Sequence, residues 1–269
     1  MCNYNKIEID VFTISQATNA ALTDIYFHKT CLFFIQKGEK HVMDSEQKPM
    51  IGYEGDLIIF STGSIVTMEN HPVINDKYQA TGMAFPQHII DDIFLSSATQ
   101  PQEKNIPHIQ IIDGEETLFS NLLSLIHETV SNPDLPDIIK NHRLREPLIW
   151  LRDMGYKIPT KIEDRPTSKL RHLLETDLSY KWSAKEAANH FGMSEATMRR
   201  WLAKDGHNFS KILHNMRLEY GLALLQTTDM QISQIAFESG FKTPSHFSDS
   251  FRKRFKFSPK EIRFTKIDE

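Results

Sequence analysis

From residue 182 to residue 263 the apolar and polar positions follow a rhythm that occurs twice. Ala188 is followed four residues later by Gly192, and Ala236 four residues later by Gly240. A helix that crosses another at close range needs a small residue at the crossing, and the tight turn after it needs a residue that tolerates positive φ. After each turn a second helix is predicted. Met198, Trp201 and Leu202 stand at i, i+3 and i+4 and make one inward stripe that leaves Arg199 and Arg200 outside it. Phe247, Phe251 and Phe255 recur every four residues and leave Ser245, Ser248, Asp249 and Arg252 facing outward; Thr243 is a suitable N-cap and Pro244 a suitable first helical residue. Two helix-turn-helix units are therefore expected, over about 184–204 and 232–255. Between them Phe209, Ile212, Leu213, Met216, Tyr220 and Leu224 form one apolar face and Leu218, Leu222 and Leu225 a second. This predicts a connecting helix over 208–226, roughly 28 Å long at about 1.5 Å per residue. Successive major-groove faces of B-DNA are roughly 34 Å apart, so such a helix would set Arg199 and Ser245 in neighbouring major-groove segments.

Upstream the period changes. Residues 22–28, 31–36, 41–44, 57–60 and 65–68 are short runs rich in β-formers, separated by Gly, Pro or Lys-Gly punctuation, and predict a small barrel or sandwich between residues 20 and 86. Over 115–131 the ridges Leu118, Leu122, Leu125 and Phe119, Leu123, Ile126 predict a helix with an apolar stripe wider than one neighbour requires. A further helix is expected over 138–154, carrying Leu144, Leu148 and Leu151. Residues 157–166, bracketed by Pro159 and Pro166 and poorly periodic, read as a linker. The domains expected are thus 1–156 and 167–269. The second opens with Leu170, Leu173, Leu174 and Leu178 on one helical face, then Trp182 as a core anchor and Ser183 with Glu186 as a capping box.

Charge sharpens the division. The whole chain of 269 residues carries a formal −4, but residues 1–164 hold thirteen Lys and Arg against twenty-three Asp and Glu, while residues 165–269 hold eighteen against twelve. A basic half joined to an acidic half suits a polyanion-binding module with a separate sensing or assembly module. Cys2 and Cys31 are too few for a disulfide framework, which fits a reducing compartment. No apolar run approaches a membrane span, and a cytoplasmic location is expected.

The C-terminal run becomes specific when read residue by residue. Arg217-Leu218, Ala223-Leu224-Leu225, Ile232-Ser233-Gln234-Ile235-Ala236, Gly240-Phe241, Ser245-His246-Phe247-Ser248, Phe251-Arg252-Lys253-Arg254-Phe255, Ser258-Pro259 and Arg263 closely resemble the signature of the AraC/XylS family of bacterial transcription regulators. Two positions depart from it: Lys256 stands where the family usually has glycine, and Asp249 where it often has a basic residue. The resemblance implies a sequence-specific DNA-binding regulator, an activator, that acts with RNA polymerase on promoter DNA. It also implies a cupin-like N-terminal barrel that meets a small-molecule effector or a regulatory protein, with a helix after the barrel for homodimerisation. Leu118, Leu122 and Leu125 are the candidates for that helix. The overall class is α+β, a cupin-like β-barrel with helices followed by an all-α DNA-binding domain.

Recognition roles can be placed. Arginine is the side chain best shaped to hydrogen-bond guanine O6 and N7 together, so Arg199 and Arg200 lead as base readers. By resemblance Ala196 also faces bases, and Glu195 at the helix start would accept from a cytosine amine or complement the helix dipole. In the second unit the family's base-facing positions fall on Pro244, Ser245, Ser248 and Asp249, a set without Arg or Lys that positions the protein more than it discriminates. Lys204, Lys242, Arg252 and Lys253 are expected to meet phosphates. The barrel interior, lined by Phe27, Phe33, Phe34, Ile58, Phe60, Met83 and Phe85, is either a filled core or an effector pocket. Many cupins hold a metal, but here Gly55-Asp56 and Gly63 are accompanied by Ser61 at the motif's proline and Val66 at its ligand histidine, and His41 has no histidine two residues away. No metal and no cofactor are expected, and His28, His41, His71 and His88 read as scattered surface or hydrogen-bonded residues. The rival to a regulator is a metal-free cupin enzyme or small-molecule binder with a basic C-terminal module.

Overall fold

The computed structural model describes residues 7–44, 48–74, 76–95, 106–114, 116–160, 166–204 and 206–263. The chain divides into two compact units, Met1–Ile162 and Glu163–Glu269.

The first unit contains strands β1 (Asp10–Gln16), β2 (Ala20–Tyr26), β3 (Thr30–Lys37), β4 (Glu39–Met43), β5 (Pro49–Gly52), β6 (Leu57–Phe60), β7 (Ile65–His71), β8 (Tyr78–Phe85) and β9 (Ile109–Ile112). They make a five-stranded sheet ordered β1-β8-β3-β6-β9 and a four-stranded sheet ordered β2-β7-β4-β5, antiparallel in every pairing. The five expected strands are present as β2, β3, β4, β6 and β7. Four helices follow β8 or β9: α1 (Gln87–Phe94), α2 (Glu116–Ser131), α3 (Asp137–Leu144) and α4 (Glu146–Asp153).

The five-stranded sheet is buried on both faces, and the two-residue period of a strand decides which side chain goes where. Leu32, Phe34, Leu57, Ile59, Met83 and Phe85 share one core with Ile89, Ile90 and Ile93 of α1, Phe119, Leu122 and Ile126 of α2, and Leu144, Leu148 and Leu151. The opposite face meets the four-stranded sheet. Phe60 stacks on Phe27 at 4.4 Å and meets Phe33 edge-on at 5.5 Å. Across the gap, a Cβ on Gly52 would come within 2.7 Å of Ile58 Cδ1. Of the candidate pocket residues, Phe33, Ile58 and Phe60 therefore lie between the sheets. Phe85, with Phe34 and Met83, lies on the helix-covered side, because residues one apart on a strand point to opposite faces. Leu122 is buried in the helix-covered core and Leu118 packs against it, so these two serve the unit's own interior; Leu125 is half-buried.

The helix expected over 138–154 is two helices, broken at Arg145. Pro147 has no N–H to donate and its ring crowds the carbonyl four residues back, so the chain restarts as α4 with proline in its first turn. Leu144, Leu148 and Leu151 are still all buried. Within the expected linker, Ile158 belongs to the helix-covered core, Gln110 Nε2 donates to Lys157 O and Gln87 Nε2 to Thr160 O. Residues 161–165 lie outside the described residues, and Pro166 opens the next helix.

One end of the space between the sheets is polar. Lys40 on β4 alternates inward with Val42 and is 1% exposed. Its ammonium donates to Asn70 Oδ1 at 2.5 Å, and Asn70 Nδ2 donates to Gln16 Oε1 at 2.9 Å. It also lies 5.3 Å from the centre of the Phe33 ring and 5.1 Å from that of Tyr78. The Tyr78 hydroxyl is buried with no hydrogen-bond partner among the described residues. Burial pushes the Lys40 amine down to about 7, because the interior disfavours the charged form. On the outer face of the same strands the histidines are less scattered than the sequence suggested. His41 and His71 stack at 3.9 Å, and each Nε2 reaches a glutamate two residues away, Glu39 and Glu69 respectively. The register places Glu39 opposite His71 and His41 opposite Glu69.

The second unit is helical: α5 (Pro166–Glu175), α6 (Ala184–His190), α7 (Glu195–Ala203), α8 (Phe209–Thr227), α9 (Ile232–Glu238), α10 (Pro244–Phe255) and α11 (Pro259–Arg263). Leu170, Leu173 and Leu174 of α5 pack with Ala187, Ala188, Met198, Leu202, Ile212, Leu213 and Met216. Leu178 falls beyond the end of α5 and packs on this core from the following loop. Among the described residues no helix is long and apolar enough to cross a membrane.

Lys40 sets a pH dependence of stability. Between about pH 7 and its ordinary 10.5 the unfolded chain holds a proton that the folded chain has released, so stability rises with pH over that window, by at most ~5 kcal/mol. Denaturant unfolding at pH 7, 8 and 9 should show wild type gaining on a Lys40→Met variant at each step; parallel curves would show that the amine is not desolvated.

Candidate nucleic-acid interface

Each helix-turn-helix is assembled by local chemistry. Ser183 caps α6 through a complete capping box: its side chain accepts from Glu186 N, and Glu186 reaches back to Ser183 N. At the far end Gly192 takes φ 64° and Met193 N donates to Ala188 O, turning the chain into α7. Ser194 caps that helix by accepting from Thr197 N. Met198 and Leu202 are buried, so Glu195, Ala196, Thr197, Arg199 and Arg200 are left exposed. The second unit repeats the plan. Gly240 takes φ 76°, Thr243 caps α10 by accepting from His246 N, and Pro244 occupies the first turn. Phe247, Phe251 and Phe255 are fully buried, while Ser245, Asp249, Arg252 and Lys253 are exposed and Ser248 and Pro244 half-exposed. Lys204 and Lys242 are exposed beside the two helices.

Two expected DNA contacts are engaged within their own helices. Arg199 Nη2 lies 3.3 Å from Glu195 Oε1, and Arg252 Nη2 lies 3.4 Å from Asp249 Oδ1. Both pairs are solvent-exposed, where such bridges are weak, and either guanidinium is available to a stronger acceptor such as a phosphate or guanine edge.

α8 carries a polar spine that apolar periodicity does not reveal. Arg217 Nε donates to Leu178 O at 2.9 Å and its Nη2 to Tyr180 O at 2.8 Å, fastening the loop before α6. A Cβ on Gly240 would stand 2.6 Å from Arg217 Nε and 2.5 Å from Leu178 O, so the turn of the second unit closes onto the same contact. Glu219 lies 3.1 Å from Arg171 Nη1 of α5 and 2.6 Å from Arg254 Nη2 of α10. Arg263 donates to Leu225 O, Met230 O and Thr228 O, occupying carbonyls at and beyond the end of α8 that have no partner in the helix. Gly221, mid-helix, sits under Phe247, whose ring would be 2.6 Å from an added Cβ. His214, on the same helix, is held below the ordinary histidine range by burial and then by His246 and Arg254.

Lys256 resolves one departure from the expected signature. It is the C-cap of α10 and takes φ 67°, the left-handed conformation that glycine adopts without steric cost. The helix ends as a glycine would end it, at the cost of strain in a lysine.

A model of a helix-turn-helix domain matches residues 187–264. The transcriptional activator CfaD of Escherichia coli is 31% identical over 151 residues, 51% of this chain and 57% of its own length. The dual transcriptional regulator Rns of Escherichia coli is 37% identical over the same shares. This chain thus spans a little over half the length of these relatives. Among solved structures, an apo variant of ToxT from Vibrio cholerae superposes with TM-score 0.68 at 16% identity, covering 97% of this chain and 98% of ToxT. ToxT bound to an unsaturated fatty acid gives 0.63 at 17% identity, covering 97% and 96%. At those identities the likeness is one of fold, and it extends through both the β-rich and the helical unit.

Lys256→Gly relieves the left-handed strain and should stabilise the helical unit by ~0.5–1 kcal/mol, the steric gain exceeding the extra chain entropy of glycine. Thermal unfolding checks this; a lower melting temperature would mean that the lysine's contacts outweigh its φ.

Proposed function

From the premise that the C-terminal unit is an AraC-type helix-turn-helix domain, we propose that this chain is a sequence-specific DNA-binding regulator of transcription, an activator, governed through its N-terminal unit. The observation that carries the reading is the pairing of two capped helices, each with an exposed polar face, on a connecting helix of nineteen residues. At about 1.5 Å per residue that helix is roughly 28 Å long, comparable with the roughly 34 Å between successive major-groove faces. α7 reads bases through Arg199 and Arg200, with Ala196 and Glu195 at the groove floor. α10 offers Pro244, Ser245, Ser248 and Asp249 and mainly sets position. Lys204, Lys242, Arg252 and Lys253 supply phosphate contacts, which add affinity without sequence information. Action in the cytoplasm on promoter DNA, with RNA polymerase and as a homodimer, belongs to the same reading. An enzymatic role does not, because the relatives above are transcription regulators.

In vitro selection of DNA with the full chain, followed by footprinting, tests the reading. A selected motif is expected, and Arg199→Ala should weaken binding by roughly 1–3 kcal/mol while losing discrimination at one base position. Failure to select any motif above a salt-sensitive background would overturn it.

For the effector, a small organic acid is favoured. ToxT, which shares the fold, has been solved with an unsaturated fatty acid and with an aryl butenoic acid. In this chain the buried Lys40 has no carboxylate among its described contacts, beside the unpartnered hydroxyl of Tyr78. A carboxylate there would supply the charge that a buried ammonium needs. Calorimetric titration with straight-chain monocarboxylates and the matching alcohols should show acids binding wild type at least tenfold more tightly than Lys40→Met, with alcohols indifferent to the change. Equal binding of acids to both proteins would remove Lys40 from the site.

A further inference from the structure

We propose that Glu219 is a positioning residue for DNA recognition: one carboxylate fixes the separation and rotational phase of the two recognition helices. The inference rests on the reading of the helical unit as a bipartite DNA binder. Its geometry is specific. Glu219 sits on α8 and is 15% exposed in its side chain; Arg171 comes from α5 and Arg254 from α10, exposed 10% and 11%. Each carboxylate oxygen takes one guanidinium, Oε2 that of Arg171 and Oε1 that of Arg254. Arg254 also donates through Nη1 to Asn215 O, one turn earlier on α8. α5 shares its core with α7 through Leu170, Met198 and Leu202, so Arg171 is anchored in the body that carries the first recognition helix. Arg254 is part of the second recognition helix itself.

Apolar packing on α8 limits how far α10 can move, but it is non-directional and tolerates sliding and rotation. The shared carboxylate adds what packing lacks. Charge-assisted hydrogen bonds to a guanidinium have fixed directions, and two guanidiniums converging on one carboxylate at this depth repel each other once its charge is removed. Glu219→Gln therefore leaves the α5–α7–α8 core and the buried Phe247, Phe251 and Phe255 row in place and loosens the angular relation between α7 and α10.

The consequence for DNA is a strict spacing. Hydroxyl-radical footprinting of the full chain on its selected site should show protection under both units. Inserting two base pairs between the protected segments rotates one against the other by about 70° and should abolish protection under the second unit in wild type. Glu219→Gln should retain the first unit's protection, bind the parent site five- to tenfold more weakly, and lose less than twofold more on the insertion site. Arg254→Met, which frees α10 while leaving Glu219 with Arg171, should behave alike and guards against a folding defect specific to the first variant. Retention of wild-type spacing dependence by both variants, or equal loss of both protected segments, would overturn the positioning role. If wild type selects no site at all, the DNA-binding reading itself has failed. A selected site with unchanged spacing dependence in the variants removes only the role given to Glu219.

Discussion

The helical unit depends on the guanidinium of Arg217. It rises from the middle of α8, satisfies two loop carbonyls thirty-seven and thirty-nine residues away in sequence, and forms the floor on which the Gly240 turn rests. The loop carrying Leu178 and Tyr180 has no ladder or helix to order it; Leu178 O accepts from Arg217 Nε, and Tyr180 O accepts from Arg217 Nη2 as well as from Trp182 N. One side chain therefore satisfies the approach to the first helix-turn-helix and excludes any Cβ from the turn of the second. Arg263 serves the same helix at its far end, and Gly221 lets the Phe247 ring sit against the α8 backbone. α8 is a two-sided frame and not a spacer: its apolar faces supply most of the burial, and its polar groups determine where each flanking unit comes to rest.

The β unit is governed by a different constraint, the alternation of a sheet buried on both faces. That is why Phe33 and Phe34, adjacent in sequence, belong to two separate cores. The interior between the sheets is largely filled by interlocked rings, but its end under Lys40 departs from that economy. A fully buried amine, a carboxamide chain through Asn70 and Gln16, and an unpartnered phenol are an expensive set to enclose. In the rest of the same space the enclosed side chains are mainly apolar.

Much of the helical unit was legible in the sequence because its determinants are local. Ser183 with Glu186, Thr243 with Pro244, and the Phe247, Phe251, Phe255 stripe act over three or four residues, and each fell where the pattern put it. The break at Arg145 was equally local, since Pro147 alone forbids a continuous helix. Strand β8 was less legible: between Tyr78 and Phe85 its positions facing the second sheet are Ala80, Gly82 and Ala84, and the Phe12 ring of β1 lies over Gly82. Seen alone those residues carry no β signal. Glu219 was invisible for the same reason at longer range, because its partners stand forty-eight and thirty-five residues away and an exposed glutamate on a helix has the same sequence signature.

The two recognition helices are not equivalent, and their internal pairs show why. On α7 the arginine that pairs with Glu195 stands next to Arg200, so one guanidinium can leave its carboxylate for DNA while the other already faces outward. On α10 the carboxylate is Asp249, at a position where the groove would be met, and the cation it holds is Arg252, one turn further along. Turning Arg252 toward a phosphate leaves Asp249 facing a polyanion unpaired, an electrostatic penalty that falls as salt screens it. On the proposed DNA-binding reading, phosphate contact by α10 is weakened by its own Asp249–Arg252 pair, while its placement is reinforced by Arg254 and the frame of α8. Under that proposed reading, a helix arranged this way adds register rather than affinity, and the burden of reading bases falls on α7.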